Sequence, residues 1–136
     1  MPEQGDMGEF FTGGRWAVVG FSRDPFKYGY IVHRRLKTHG EEVVAVNPKA
    51  EEVDGEPCYP SLADVPESVE QVVVVLPPRT TEEVVREAAE LGVTKVWMQP
   101  GAESAAAVDF CRSQGMNVVS GSCILRYMDR REAGAA

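Results

Sequence analysis

Short runs of β-branched and aromatic residues alternate along this chain with longer stretches in which apolar residues recur every three to four positions. Strands are expected over residues 16–20, 43–47, 71–76, 93–98 and 117–119. The run Val72-Val73-Val74-Val75-Leu76 is apolar at every position, the pattern of a strand covered on both faces in a parallel sheet. Helices fill the gaps. Residues 27–39 place Tyr28, Ile31, Val32 and Leu36 on one face, with Gly40 as a stop. Thr80-Thr81-Glu82-Glu83 has capping-box spacing ahead of the stripe Val84, Val85, Ala88 and Leu91, and Gly92 follows. A third helix is expected over 103–114, with Val108 and Cys111 inward and Gly115 behind it.

Strand, helix and strand in repetition imply right-handed crossovers, hence an α/β, Rossmann-like, doubly wound parallel sheet in three layers. Residues 53–66 break the rhythm with Gly55, Pro57, Pro60 and Pro66, which predicts a short strand and then a brief helix over 61–64. No repeat or low-complexity segment is present. One domain is expected over residues 15–129, with a polar lead-in over 1–14 containing Phe10 and Phe11 and a frayed tail over 130–136.

Composition narrows the function. The 136 residues are 43% hydrophobic, enough for a core in a single domain. A formal charge of -7 opposes a general affinity for nucleic acid, although it leaves room for a local basic pocket. No stretch approaches a membrane span and no basic-then-apolar leader opens the chain, so the expected location is cytoplasmic. Cys58, Cys111 and Cys123 form no Cys-x-x-Cys motif and read as free thiols, Cys123 as a buried structural cysteine with a reactive thiol as the alternative. His33 and His39 lack partners at ligand spacing, so no metal site is expected.

The chemistry is expected just beyond the strands, because open α/β sheets bind ligands at the carboxyl ends of their strands. After the first strand come Gly20, Phe21, Ser22 and Arg23, where a hydroxyl and the amides of the following helix can meet an anion. The same segment reads equally as an ordinary tight turn. After the second come Asn47, Pro48 and Lys49, where a NAD-binding unit usually places an acid for the ribose hydroxyls. With that acid and the Gly-x-Gly-x-x-Gly fingerprint both missing, Lys49 favours a ligand carrying an extra phosphate, or is an exposed lysine in an Asn-Pro turn. After the valine-rich strand, Pro77 and Pro78 can form a rigid apolar ledge or merely end the strand. Gln99-Pro100-Gly101 and Ser120-Gly121-Ser122-Cys123 close the last two strands.

Taken together, these residues resemble the small single-domain CoA-binding proteins, whose domain is similar to the CoA-binding part of succinyl-CoA synthetase α subunits and NDP-forming acyl-CoA synthetases. The resemblance spans residues 16–128. It rests on Val18-Val19-Gly20-Phe21-Ser22-Arg23-Asp24-Pro25, Val46-Asn47-Pro48-Lys49, Tyr59-Pro60-Ser61-Leu62, the strand ending at Pro77, and Trp97-Met98-Gln99-Pro100-Gly101. It implies coenzyme A as ligand. Gly20, Phe21, Ser22 and Arg23 would form the phosphate side, and Asn47, Pro48 and Lys49 would flank the nucleotide. Val75, Leu76, Pro77 and Pro78 would wall the adenine, with Gln99 at the neighbouring strand end. The chain departs from that family at Ser120-Gly121-Ser122-Cys123, where many members carry an acid and a base before the cysteine, so roles of that pair do not carry over.

The sequence shows no Gly-x-Ser-x-Gly elbow and no base assigned to Ser22 or Ser122, so the expected function is noncatalytic binding of CoA or an acyl-CoA. The alternatives are an NAD(P)-binding redox-sensing module and a CoA-binding accessory subunit of an acyl-CoA ligase. Expected partners are CoA or acyl-CoA, a second copy of the chain or a ligase subunit, with neither nucleic acid nor membrane.

Overall fold

The computed structural model describes residues 4–49, 52–53 and 55–134. Its centre is a sheet of seven strands: β1 (Arg15–Val19), β2 (Glu42–Val46), β3 (Glu52–Val53), β4 (Glu56–Tyr59), β5 (Gln71–Val74), β6 (Lys95–Met98) and β7 (Asn117–Ser120). Their order is β3-β4-β2-β1-β5-β6-β7. Six strands run parallel, and β3 pairs antiparallel to β4 at the edge. This is the doubly wound Rossmann-like sheet expected from the alternating pattern.

The side-chain period of two divides the strands between two cores. Across one face, register aligns Ala45, Val18, Val73, Trp97 and Val119. These pack with Val32 and Leu36 of α1 (Tyr28–Thr38) and with Ile124 and Met128 of α4 (Ile124–Gly134). One residue further along, Val46, Val19, Val74 and Met98 face the other way. They meet Val85 and Ala88 of α2 (Pro78–Glu90) and Ala107 and Cys111 of α3 (Ala105–Ser113). At roughly 1.5–3 kcal/mol for each large apolar side chain taken from water, these two layers supply the main driving force.

The starts of α2 and α3 and the region before β4 differ locally from expectation. Helix α2 starts at Pro78 with Pro77 as N-cap and no side-chain cap, so Thr80 and Thr81 lie inside the helix and form no capping box. Proline at the first position lacks only an amide that would have no helical partner, and its fixed φ suits the turn. Helix α3 is capped instead by Ser104, whose hydroxyl accepts from the Ala107 amide at 3.0 Å. Residues 56–59 form the expected short strand, but a second one, β3, precedes it, and a 3-10 turn follows over Leu62–Asp64.

The segments before β1 and after β7 are also built in. Phe10, on a 3-10 turn over Met7–Phe11, is fully buried with its ring centroid 5.9 Å from Trp16 and 5.3 Å from Trp97. The Gly5 amide donates to the Val118 carbonyl at 2.9 Å, covering part of the β7 edge. Residues 130–134, expected as tail, continue α4, which is tied to α1 through Arg35 by Asp129 and Glu132. The hydrogen bond to Asp129 raises the Arg35 guanidinium above its ordinary pKa.

Candidate functional site

The chain moves outward from β1 through β2 to β4, then returns to place β5 on the other side of β1. The carboxyl ends of β1 and β5 therefore flank the switch point, where connections part to opposite faces and a crevice opens.

Gly20 sits at that parting. Its φ is +99°, and a Cβ there would stand 2.1 Å from the Val75 carbonyl oxygen, so any side chain would force the exits of β1 and β5 apart. The amides of Gly20 and Phe21 both donate to the Val46 carbonyl, at 3.0 and 3.2 Å. Asn47 completes the lock: its Nδ2 donates to the Phe21 carbonyl, and its Oδ1 accepts from the Lys49 amide at 2.8 Å. Phe21 is fully buried, edge-on to His33 at 5.1 Å, and gives a ligand no side-chain surface. Asn47 and Phe21 thus shape the loops.

Beyond Phe21, Ser22 Oγ accepts from the Asp24 amide at 3.1 Å and Asp24 Oδ1 from the Phe26 amide at 2.9 Å, a pair of short turns leading into α1. The first turn of α1 has no side-chain cap. Arg23 and Lys49 are exposed. Burial pushes the Cys58 thiol up, while a backbone hydrogen bond at Asn47 and the field of Arg23 pull it down. Arg23 follows Phe21, whose amide and carbonyl are bonded to Val46 and Asn47 at the end of β2, the side of the crevice that carries Lys49.

Two hollows flank the sheet edge. A groove of about 350 Å³ on the α2 face is lined by Gly20, Pro48, Pro60, Ser61, Leu76, Thr80 and Val84, with Glu83 and Glu87 at its rim. A cavity of about 450 Å³ on the α4 side is lined by Tyr28, Val75, Gln99, Pro100, Gly121, Ser122, Cys123, Arg126 and Arg130. Val75 and Leu76, adjacent in the chain, thus serve opposite hollows. Pro77 and Pro78 line neither; they start α2.

Gln99 lines the cavity but its amide is committed. Oε1 accepts from the buried Ile124 amide at 2.7 Å and Nε2 donates to Cys123 Sγ at 3.4 Å, so Gln99 caps α4. Cys123, expected to be buried, is partly exposed at the cavity wall. Arg126 and Arg130 are not among the expected site residues, because no helix was expected after residue 119. Their four-residue spacing was the available signal.

A sequence profile described as the CoA binding domain matches residues 14–129. The chain belongs to the CoA binding domain family. It is 30% identical over 126 residues to the acetate–CoA ligase (ADP-forming) II subunit alpha of Pyrococcus furiosus, an alignment covering 85% of this chain and 28% of that subunit. Less than a third of that relative's length is therefore represented. It is 27% identical over 110 residues to an uncharacterized Bacillus subtilis protein, YneT, with 81% of this chain and 82% of that one covered. Among solved structures, a hypothetical protein from Pyrococcus horikoshii superposes with a TM-score of 0.86 at 32% identity, covering 96% of this chain and 98% of that one. This CoA binding domain has no helix, among the described residues, long and apolar enough to cross a membrane.

Proposed function

We propose that this CoA binding domain works as a noncatalytic binder of CoA or an acyl-CoA, held across the carboxyl ends of its parallel strands. The observation that carries this reading is the pairing, on either side of the Gly20 loop, of an apolar groove with the exposed cations Arg23 and Lys49. Adenine suits the groove: Pro48, Pro60, Leu76 and Val84 offer apolar contact to a flat ring, and Glu83 or Glu87 can accept from its exocyclic amine. The same acids repel phosphate, so the phosphates belong on the Lys49 and Arg23 side.

An NAD-type mode is less well served. The ribose acceptor that such a site needs at the second strand end is Asn47 here, and both ends of its amide already bond to backbone. The accessory-subunit reading is favoured by one observation, the match to part of a ligase subunit alpha. A pull-down with a ligase partner would distinguish it from a free-standing carrier.

Calorimetric titration with CoA, dephospho-CoA, acetyl-CoA, NADH and NADPH tests the proposal. CoA species are expected to bind; binding of NADH with no CoA species would overturn it. Lys49→Ala is expected to weaken CoA by about 1.5–3 kcal/mol, the scale of a charge-assisted contact, and dephospho-CoA much less. Equal weakening of both would remove Lys49 from the 3′-phosphate.

A further inference from the structure

The carboxyl edge of the sheet carries a second basic pole. Arg126 and Arg130 are one helical turn apart on α4 and line the same cavity, so their guanidinium groups share a face. The acids of α4 are turned elsewhere: Asp129 and Glu132 hold Arg35, and Glu132 also meets His39. Among the described residues neither Arg126 nor Arg130 has an ion pair or hydrogen bond. Like charges at this spacing oppose helix formation slightly, and an anion between them would relieve the repulsion.

The two poles stand at opposite ends of the edge. Arg23 and Lys49 lie by β2 and β4, whereas Arg126 and Arg130 follow β7, four strand spacings from β2, or roughly 19 Å. For a ligand with its nucleotide phosphates at the first pole, a pantetheine arm that crosses β1, β5 and β6 reaches the cavity lined by Cys123. The second pole therefore meets the acyl end.

We propose that the Arg126–Arg130 cavity selects acyl-CoA molecules whose acyl group ends in a carboxylate. This rests on the CoA reading above and adds the class of acyl group. The guanidinium fork matches a carboxylate in a two-point contact, and the Tyr28 ring offers a wall for the methylenes before it.

The test is calorimetry of the full chain with succinyl-CoA and butyryl-CoA, which match in carbon number and differ in the terminal charge, and with free CoA. Wild type is expected to bind succinyl-CoA about tenfold more tightly than butyryl-CoA, a modest value for charge-assisted contacts open to solvent. Arg126→Gln with Arg130→Gln is expected to abolish that preference and leave CoA affinity unchanged; both side chains are exposed, so the fold should tolerate the exchange. Equal binding of the two acyl-CoAs by wild type overturns this inference alone. So does an equal loss for all three ligands in the double variant, which would place the arginines on phosphate. Failure of every CoA species to bind wild type overturns the CoA reading as well.

Discussion

Gly20→Ala offers a quantitative test of how the crevice is held open. Two costs arise there. The backbone has φ +99°, where a Cβ crowds its own chain at about 1–2 kcal/mol. The new Cβ would also stand 2.1 Å from the Val75 oxygen, 2.8 Å from its carbonyl carbon and 3.0 Å from Leu76 Cγ, and two of those three atoms are backbone. Backbone cannot swing aside as a side-chain tip can, so relief requires displacing the exits of β1 and β5, an overpacking cost of roughly 1–3 kcal/mol. Gly40→Ala separates the two effects, because Gly40 has φ +93° and nothing within 4 Å of a built Cβ. Urea unfolding of both variants with a common slope should give about 1–2 kcal/mol for Gly40→Ala and roughly 2–5 kcal/mol for Gly20→Ala. Gly20→Ala should in addition lose ligand affinity at concentrations where it remains folded. Equal destabilisation of the two variants would show that the Val75 contact does not constrain the loop.

Gln99→Leu keeps most of the side-chain volume but removes the acceptor for the buried Ile124 amide. It should cost about 1–3 kcal/mol, the penalty for an unpaired buried donor, and speed hydrogen exchange at Ile124; unchanged exchange would refute the cap. The Cys111 thiol is fully buried and its pKa is pushed up by burial to about 11. In the unfolded chain it ionises lower, so its stabilising contribution is complete below the unfolded pKa and is lost as pH rises toward 11. Across that window wild type should lose about 2 kcal/mol more stability than Cys111→Ala, even though the variant starts less stable. Parallel alkaline profiles for the two would refute this.

A chain of net charge -7 concentrates four exposed cations, Arg23, Lys49, Arg126 and Arg130, along one edge of its sheet. The acidic residues that surround these cations, including Glu82, Glu83, Glu87 and Glu90 on α2, disfavour polyanions such as nucleic acid while leaving short anionic ligands a local attraction. Overall charge and local field thus point to different partners, and distance decides between them: screening shortens the reach of the whole-chain field to about 10 Å.

Much of this was legible in order along the chain. The fully apolar run at Val72 to Val74, the glycine stops behind α1, α2 and α3, and the alternation of strand with helix come from local periodicity, which residue types alone dictate. Asn47 and Lys49 in place of an acid could likewise be read directly, since the second strand end is found by counting. Strand and helix ends were less legible. Pro77-Pro78 looks like a stop, and only its place above β5 shows it as a start.

Tertiary structure decided the division of labour among the strand-end residues. No sequence pattern says that Asn47 spends its amide on the Phe21 carbonyl and Lys49 amide, that Gln99 caps a helix beginning 25 positions later, or that Val75 and Leu76 open into different hollows. Those assignments depend on which backbone groups remain unpaired once the sheet has formed, and that is settled by contacts between residues far apart in the chain. The same holds for Arg126 and Arg130. As letters they are two charges in a polar stretch; they become a pole because α4 packs on α1, Arg35 draws Asp129 and Glu132 to that side, and the arginines are left facing the cavity. Periodicity thus determined the scaffold and the edge that binds, because both are local. Packing determined which groups on that edge remain free to bind.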